Sequence, residues 1–481
     1  MIKKILKTFR PAPHIARRPD KEIPAHYEKM RWQVFAGIFI GYLSFYLLRN
    51  NFSLAMPYLQ QEGISKTQLG LVLSAMPLAY GISKFVMAIL SDRSNPRYFM
   101  ATGLIISALL NMILGTQFAL NSVALMFCLM FLSGWCQGMG WPAAARVMVH
   151  WYTKKERGTK ASIWGISCNI GGALVAPLSI LGFIIFSSWH SIFYFPAIIS
   201  LLVAVFVLVT VRDTPQSEGL PPIEEYKKAD YAYLSEAENK DAEKELTTKE
   251  ILFKYIFVNK YIWFLAMANI FIYIIRYGVI SWVPTYLKQA KGFSSSSSTW
   301  AYFAFEAAAI FGTLLSGWVS DKFFRAHRAP VSIAFMLLVC CGVLSYWLIP
   351  TGYTLYCYIA LMVVGFSIYG PIMLVNIHAM DLVTKKAAGT AVGLVGLFGY
   401  VGGAVIASAV MGLIVDHFGW NGGFALLIVS CILAIFFLAL TWNARNIEAP
   451  KQKQESVFSP DNLEKTLSIE PAGSALDEEV K

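Results

Sequence analysis

Tyr46-Leu47-Leu48-Arg49 is followed by Pro57-Tyr58-Leu59, and the same order returns as Tyr273-Ile274-Ile275-Arg276 and Pro284-Thr285-Tyr286-Leu287. Tyr, Arg and Pro are each displaced by 227 positions. A second pair of markers keeps the register: Ser91-Asp92-Arg93 and Ser320-Asp321-Lys322 stand 229 positions apart. Two ordered sets at nearly one offset point to an internal repeat. The first set lies in apolar stretches of membrane-crossing length. The repeat therefore predicts two six-helix bundles related by an axis along the membrane normal. Such a pair places its binding site at the repeat interface, near the midplane.

Composition agrees. Hydrophobic residues make up 56% of the 481-residue chain and charged residues 14%, too few charges for a soluble protein of this size. The expected class is an all-α membrane protein with twelve transmembrane helices in two pseudo-symmetric six-helix bundles. The spans fall near 32–50, 68–90, 98–118, 123–151, 158–186, 189–211, 261–283, 298–320, 329–350, 352–380, 386–414 and 421–442. This divides the chain into an N-terminal segment (1–31), a first bundle (32–211), a linker (212–260), a second bundle (261–442) and a tail (443–481).

The net charge of +11 does not form a nucleic-acid surface. Basic residues gather in alternate loops: Arg17, Arg18, Lys29 and Arg31 before span 1, Arg93 and Arg97 after span 2, Lys154, Lys155, Arg157 and Lys160 after span 4, Lys322, Arg325 and Arg328 after span 8, and Lys385 and Lys386 after span 10. The alternate loops around 119–122, 187–189 and 351–353 carry almost no charge. The positive-inside rule then places the basic loops, both termini and the linker in the cytoplasm. Met1 to Arg31 is too polar for a cleavable signal peptide, so span 1 is expected to act as an uncleaved signal. Ile2, Ile5, Leu6 and Phe9 share a helical face against Lys3, Lys4, Lys7 and Arg10, which suits either a surface helix or a plain basic flank. Thr247 to Phe257 has the spacing of a short surface helix. The seven cysteines lie in apolar segments without CxxC spacing and read as small packing residues.

Two arginines carry the chemistry. An arginine inside a span costs at least ~2.5–3.5 kcal/mol. Arg276 is surrounded by apolar residues from Tyr261 to Pro284. Arg49 either snorkels from the outer end of span 1 or lies deep, if the uncharged run from Asn50 to Met56 continues the helix. The repeat favours depth. A planar, permanently charged guanidinium bonds phosphate oxygens in a bidentate fork. One arginine per bundle therefore suits a phosphate monoester held between the halves. Lys84 in span 2 is a further intramembrane cation, and Glu306 in span 8 a buried acid. Either they tune the anion site or they belong to structural pairs. Tyr42 and Tyr46 lead up to Arg49 at helical spacing, and Tyr273 precedes Arg276. Tyr369 and Tyr400 lie in glycine-rich spans. Asp92 with Arg93, and Asp321 with Lys322, are candidate conformational latches. No metal, nucleotide or nucleophile signature occurs, so neither a cofactor nor enzymatic activity is expected.

The chain resembles the organophosphate:phosphate antiporter family of the major facilitator superfamily. The likeness runs from Pro11-Ala12-Pro13-His14 to about Trp442 and is densest at Tyr46 to Leu59, Gly134 to Pro142, Arg212 to Tyr226, Tyr369-Gly370-Pro371 and Lys385 to Thr390. It implies that Arg49 and Arg276 bind the substrate phosphate. It adds Lys84, Glu306, Tyr42, Tyr273, Tyr369, Tyr400 and Trp141 to the cavity. Cys168 stands where the family has a histidine in Trp164-Gly165-Ile166-Ser167-Cys168-Asn169, and Gly165 replaces an asparagine. Asn50 and Ser281 stand where a basic and an acidic residue are usual. The resemblance implies exchange of inorganic phosphate for a small phosphomonoester, with glycerol-3-phosphate the expected cargo, by a monomer in the bacterial cytoplasmic membrane. It also admits a sugar-phosphate sensor, or an antiporter of hexose phosphate or phosphoglycerate.

Overall fold

The computed structural model describes residues 9–228, 251–324, 327–383 and 387–444. The N-terminal amphipathic face up to Leu6, the middle of the linker, Arg325, Lys385, Lys386 and the tail beyond 444 lie outside the described residues.

The first half contains α1 (Ile23–Arg49), α2 (Asn51–Gln61), α3 (Lys66–Ser91), α4 (Pro96–Leu114), α5 (Val123–Gln137), α6 (Gly140–Trp151), α7 (Lys154–Phe186) and α8 (Ser191–Thr210). The second contains α9 (Lys260–Ile280), α10 (Val283–Ala290), α11 (Ser295–Lys322), α12 (Arg328–Leu348), α13 (Thr354–Asp381), α14 (Ala388–Leu397) and α15 (Val405–Ala439). A π-helical turn, Phe398–Ala404, joins α14 to α15. Ten segments of the described residues are long and apolar enough to cross a membrane. The last, Ala388–Ala439, is bent where Gly419 takes a positive φ of 69°, which makes two spans of it. With the 26-residue α3, the described helices make twelve spans. Exposed Ile184, Leu202, Phe311 and Leu348 form part of the apolar outer face that a bilayer would cover.

Local chemistry explains the ends and breaks. Ser65 with Gln68 and Thr153 with Glu156 form capping boxes that start α3 and α7. Pro284 lacks the N–H that would bond Ile280, and its ring crowds that carbonyl. α9 accordingly stops at Ile280. Its counterpart Pro57 sits inside α2, so the first half breaks elsewhere, at Asn50. The first span is consequently longer than the sequence boundary of 32–50 allowed: Ile23 to Gln61 runs 39 residues.

In the first half the first span packs on the third to sixth; in the second it packs on the fourth to sixth; in each the second packs on the fourth. Between halves, α3 packs on α15 and α7 on α11. These two contacts exchange under the repeat, since spans 2 and 8 correspond, as do spans 5 and 11. Glycines permit the closest approaches. A Cβ on Gly70 would meet the Ser408 carbonyl, and one on Gly412 would meet the Lys66 carbonyl, so α3 and α15 interlock across the halves. This crossing lies at the end of the molecule opposite the basic loops.

The polar chain after α8 is partly docked rather than free. Asp213 is fully buried, accepting the Ala12 amide at 2.9 Å and pairing with Arg146 at 3.0 Å. Tyr226 stacks on Tyr27 with ring centroids 4.0 Å apart. The described part of the expected surface helix is a π-helical turn, Ile251–Ile256.

Within α11, a Cβ on Gly312 would collide with the backbone carbonyl of Phe366, whereas one on Gly317 would meet nothing. Gly312→Ala is expected to destabilise the purified protein by about 1–3 kcal/mol through forced backbone movement. Gly317→Ala should be neutral or stabilising by up to about 1 kcal/mol, through helix propensity. Thermal unfolding in detergent checks both.

Candidate functional site

The continuation of the first span past Asn50 decides where Arg49 lies. It is the last residue of α1, eleven helical residues follow in α2, and its exposure is only 7%. The snorkelling alternative is therefore overturned. Its Nε donates to Gln137 Oε1 at 2.8 Å. Its guanidinium lies over two aromatic faces, Tyr80 at 4.1 Å and Tyr46 at 4.5 Å. Each face offers a partly negative quadrupole to the cation. Nη1 and Nη2 are buried without a partner among the described residues.

Arg276 is equally buried, at 7%. Its Nη2 donates to the Tyr369 hydroxyl at 2.9 Å. That hydroxyl donates onward to the Glu306 carboxylate, 2.9 and 3.0 Å from its two oxygens. Tyr369, Tyr277 and Tyr273 present their rings at 4.4, 5.0 and 5.9 Å. Arg276 Nε has no partner among the described residues. In both halves, then, the arginine of the first span is anchored by a polar side chain of the fourth: Gln137 on α5 and Tyr369 on α13.

An aromatic chain joins the arginines. Tyr80 meets Tyr400 edge to face at 5.0 Å, and Tyr400 meets Tyr273 at 5.1 Å. Arg49, Asn50 and Tyr80 from one half, and Tyr277, Ser281 and Tyr400 from the other, line one cavity. The other expected residues stand around it. Tyr42 packs a tilted ring on Trp164 at 4.4 Å and meets Tyr46 edge to face at 5.6 Å. Cys168 donates its thiol to Gly165 O at 2.8 Å, within its own helix. Asn50 and Ser281 put uncharged groups on the cavity wall.

Two expectations change. Glu306 forms no direct ion pair among the described residues; Tyr369 stands between it and Arg276. Its carboxylate also fits against Gly172 of the other half, where a Cβ would lie 3.0 Å from it. Lys84 pairs with no acid among the described residues. Its ammonium lies 4.9 Å over the ring of Trp141, itself 40% exposed. The loop markers take their partners from a neighbouring helix rather than from the basic residue beside them. Asp321 is bonded by Arg328, which also holds Asp381 at 3.3 Å, while Lys322 rests over Trp318 at 4.9 Å. Asp92 offers its backbone carbonyl to Arg146, and Arg93 is exposed. The partner in each half is an arginine farther along the chain, because the helix turn aims the residue beside each Asp away from it. These contacts stay within one half.

The residues missed were Gln137, Tyr80 and Tyr277 at the cavity, and Arg146, Asp213, Arg328 and Asp381 at the loops. Tyr80 had a signal, four residues before Lys84 on one helical face. Tyr277 adjoins Arg276. Gln137 is the last residue of α5, whose only other polar side chain outside the aromatics and cysteines is Ser133.

Comparison with known proteins agrees with this architecture. The model of the Major Facilitator Superfamily matches residues 38–407. The glycerol-3-phosphate transporter of Bacillus subtilis is 56% identical over 91% of this chain and 98% of its own. That of Haemophilus influenzae is 46% identical over 89% and 94%. Among solved structures, a bacterial homologue of the human lysosomal transporter Spinster, inward-facing and occupied, superposes with a TM-score of 0.68 at 16% identity, covering 86% of this chain and 97% of that one. At that identity the likeness concerns the fold alone.

Tyr369→Phe removes the hydroxyl that satisfies both Arg276 and Glu306. It is expected to lower stability by about 1–3 kcal/mol or more, the cost of leaving buried polar groups unpaired. Adding Glu306→Gln should recover part of the loss, because the stranded charge is gone. Unfolding of the single and double variants in detergent measures this.

Proposed function

The chain belongs to the major facilitator superfamily, and we propose that it exchanges inorganic phosphate for a small phosphomonoester, glycerol-3-phosphate first, across a bacterial cytoplasmic membrane. It is a multi-pass membrane transporter, not an enzyme. One observation carries the cargo class: two buried arginines, one per half, keep guanidinium nitrogens without a partner among the described residues, Nη1 and Nη2 of Arg49 and Nε of Arg276. Phosphate is the dianion whose oxygens match such forks. The two highly similar relatives named above, both glycerol-3-phosphate transporters, support the organic part.

In this reading Arg49 and Arg276 grip the phosphate from opposite sides. Gln137 and the Tyr369–Glu306 pair hold the two guanidiniums in place. Tyr46, Tyr80, Tyr273, Tyr277 and Tyr400 wall the site with faces that tolerate the cations when no anion is bound. Tyr42 and Trp141 line the path, and Lys84 adds positive potential that draws a dianion inward. Empty, the two arginines repel each other and resist closure of the halves; loaded, the anion between them removes the repulsion. A carrier biased this way crosses when loaded and stalls when empty, which makes exchange obligatory. The basic loops and both termini face the cytoplasm, so the crossing of α3 and α15 lies at the outer end. Asp92 and Asp321, with Arg146 and Arg328, stiffen each half during rocking.

Proteoliposomes loaded with phosphate should take up labelled glycerol-3-phosphate, and Arg276→Lys should reduce uptake to background, since an ammonium cannot form the fork. Uptake untouched by that change would refute the arginine grip. Unlabelled hexose phosphate and phosphoglycerate, added as competitors, rank the cargo; phosphate binding without exchange would indicate a sensor instead. Cys168→Ala should leave exchange within about twofold of wild type, because the thiol bonds only within its helix.

A further inference from the structure

Asp416 ends the second-last span at the face opposite the basic loops. It reaches across the halves to the first turn of α3. Its Oδ2 accepts both the backbone N–H and the hydroxyl of Thr67, each at 2.6 Å. Its Oδ1 lies 3.6 Å from the Lys66 ammonium. The first amides of a helix have no intrahelical acceptor and carry partial positive charge. Ser65 already takes the Gln68 amide of this turn. Asp416 supplies the remaining acceptor, but from the other half of the molecule.

The same crossing is closed sterically. Gly412, one turn before Asp416, lies against the Lys66 carbonyl, and Gly70, one turn after Lys66, lies against the Ser408 carbonyl. Nearby, Gln289 of α10 donates to Gln60 of α2, and Lys288 lies 4.8 Å over the Tyr58 ring. At the basic end, by contrast, the pairs Arg31–Glu156, Arg146–Asp213, Arg328–Asp321 and Arg328–Asp381 each join residues of one half. A polar clasp between halves is thus built at the closed end.

We infer that Asp416 is the positioning residue of this clasp: by capping α3 through Thr67 and Lys66, it holds the outer end shut and biases the empty carrier toward the state open at the basic end. The inference rests on the transport reading above. For the exit to open outward, Asp416 must leave the α3 amides, and both groups must regain water. Breaking that clasp is a step every outward opening includes, although the substrate never touches these residues. The clasp therefore sets how often the arginines are offered to the outer solution.

An apparent dissociation constant is the intrinsic one divided by the fraction of competent state. Weakening the clasp must therefore lower the half-saturating phosphate concentration outside relative to that inside. The measurement is phosphate:phosphate exchange by the full chain in vesicles of established sidedness, titrated from each face. Asp416→Asn is expected to shift the outside-to-inside ratio of half-saturation at least about fivefold, the scale of one lost charge-assisted hydrogen bond. Thr67→Val should shift it the same way by less, and Thr67→Ser should restore the wild-type ratio. Thr67→Val carries the test should Asp416→Asn fail to assemble. A variant that merely folds poorly lowers total exchange and leaves the ratio alone; an unchanged ratio in Asp416→Asn, or in Thr67→Val where that variant carries the test, overturns the inference. Absence of exchange in the wild type would instead refute the transport reading.

Discussion

Two guanidinium groups buried in an apolar helical protein constrain everything around them. Neither can lose its charge, and each costs several kcal/mol to remove from water unless its surroundings compensate. Carboxylates in direct contact would neutralise the arginines and leave nothing for an anion. The structure compensates with weaker partners instead. Gln137 and the Tyr369 hydroxyl each take one N–H, and tyrosine faces cover the rest. Such partners are strong enough to fold with and weak enough to leave positive potential unspent.

Glu306 follows from the same constraint. Placed directly on Arg276, it would make a closed ion pair. With Tyr369 between them, the acid balances charge at one remove and the arginine keeps a nitrogen without a partner. Gly172, on the other half, makes room for that carboxylate. The charge balance of one half thus depends on a missing side chain in the other, which ties the site to the way the halves meet.

How the halves meet is a matter of small residues and helix ends. Gly70 and Gly412 allow α3 and α15 to touch backbone to backbone, and Asp416 completes the first turn of α3. Contacts of this kind are short and specific, so they separate as a unit rather than stretching. An interface of that type suits a carrier that alternates between two packings, with the arginine site midway along the seam and the clasp at one end of it.

The fold class, the twelve-span plan and the two arginines were legible without coordinates, because apolar run length, loop charge and a repeat of Tyr, Arg and Pro are all written along the chain. Glu306, Tyr369 and Tyr400 stood out in their spans as well, and family likeness supplied their place in the cavity. The depth of Arg49 was open to either answer, since whether Asn50 to Gln61 stays helical depends on what packs against it. Gln137, Arg146 and Asp416 were out of reach for a related reason. Each matters through a partner many residues away, Asp416 through one 349 positions distant. Their pairings arise only when helices from separate parts of the chain are brought side by side. Tertiary structure alone could decide which polar groups meet, because burial makes every unpaired donor costly and helix packing dictates which acceptor lies within reach.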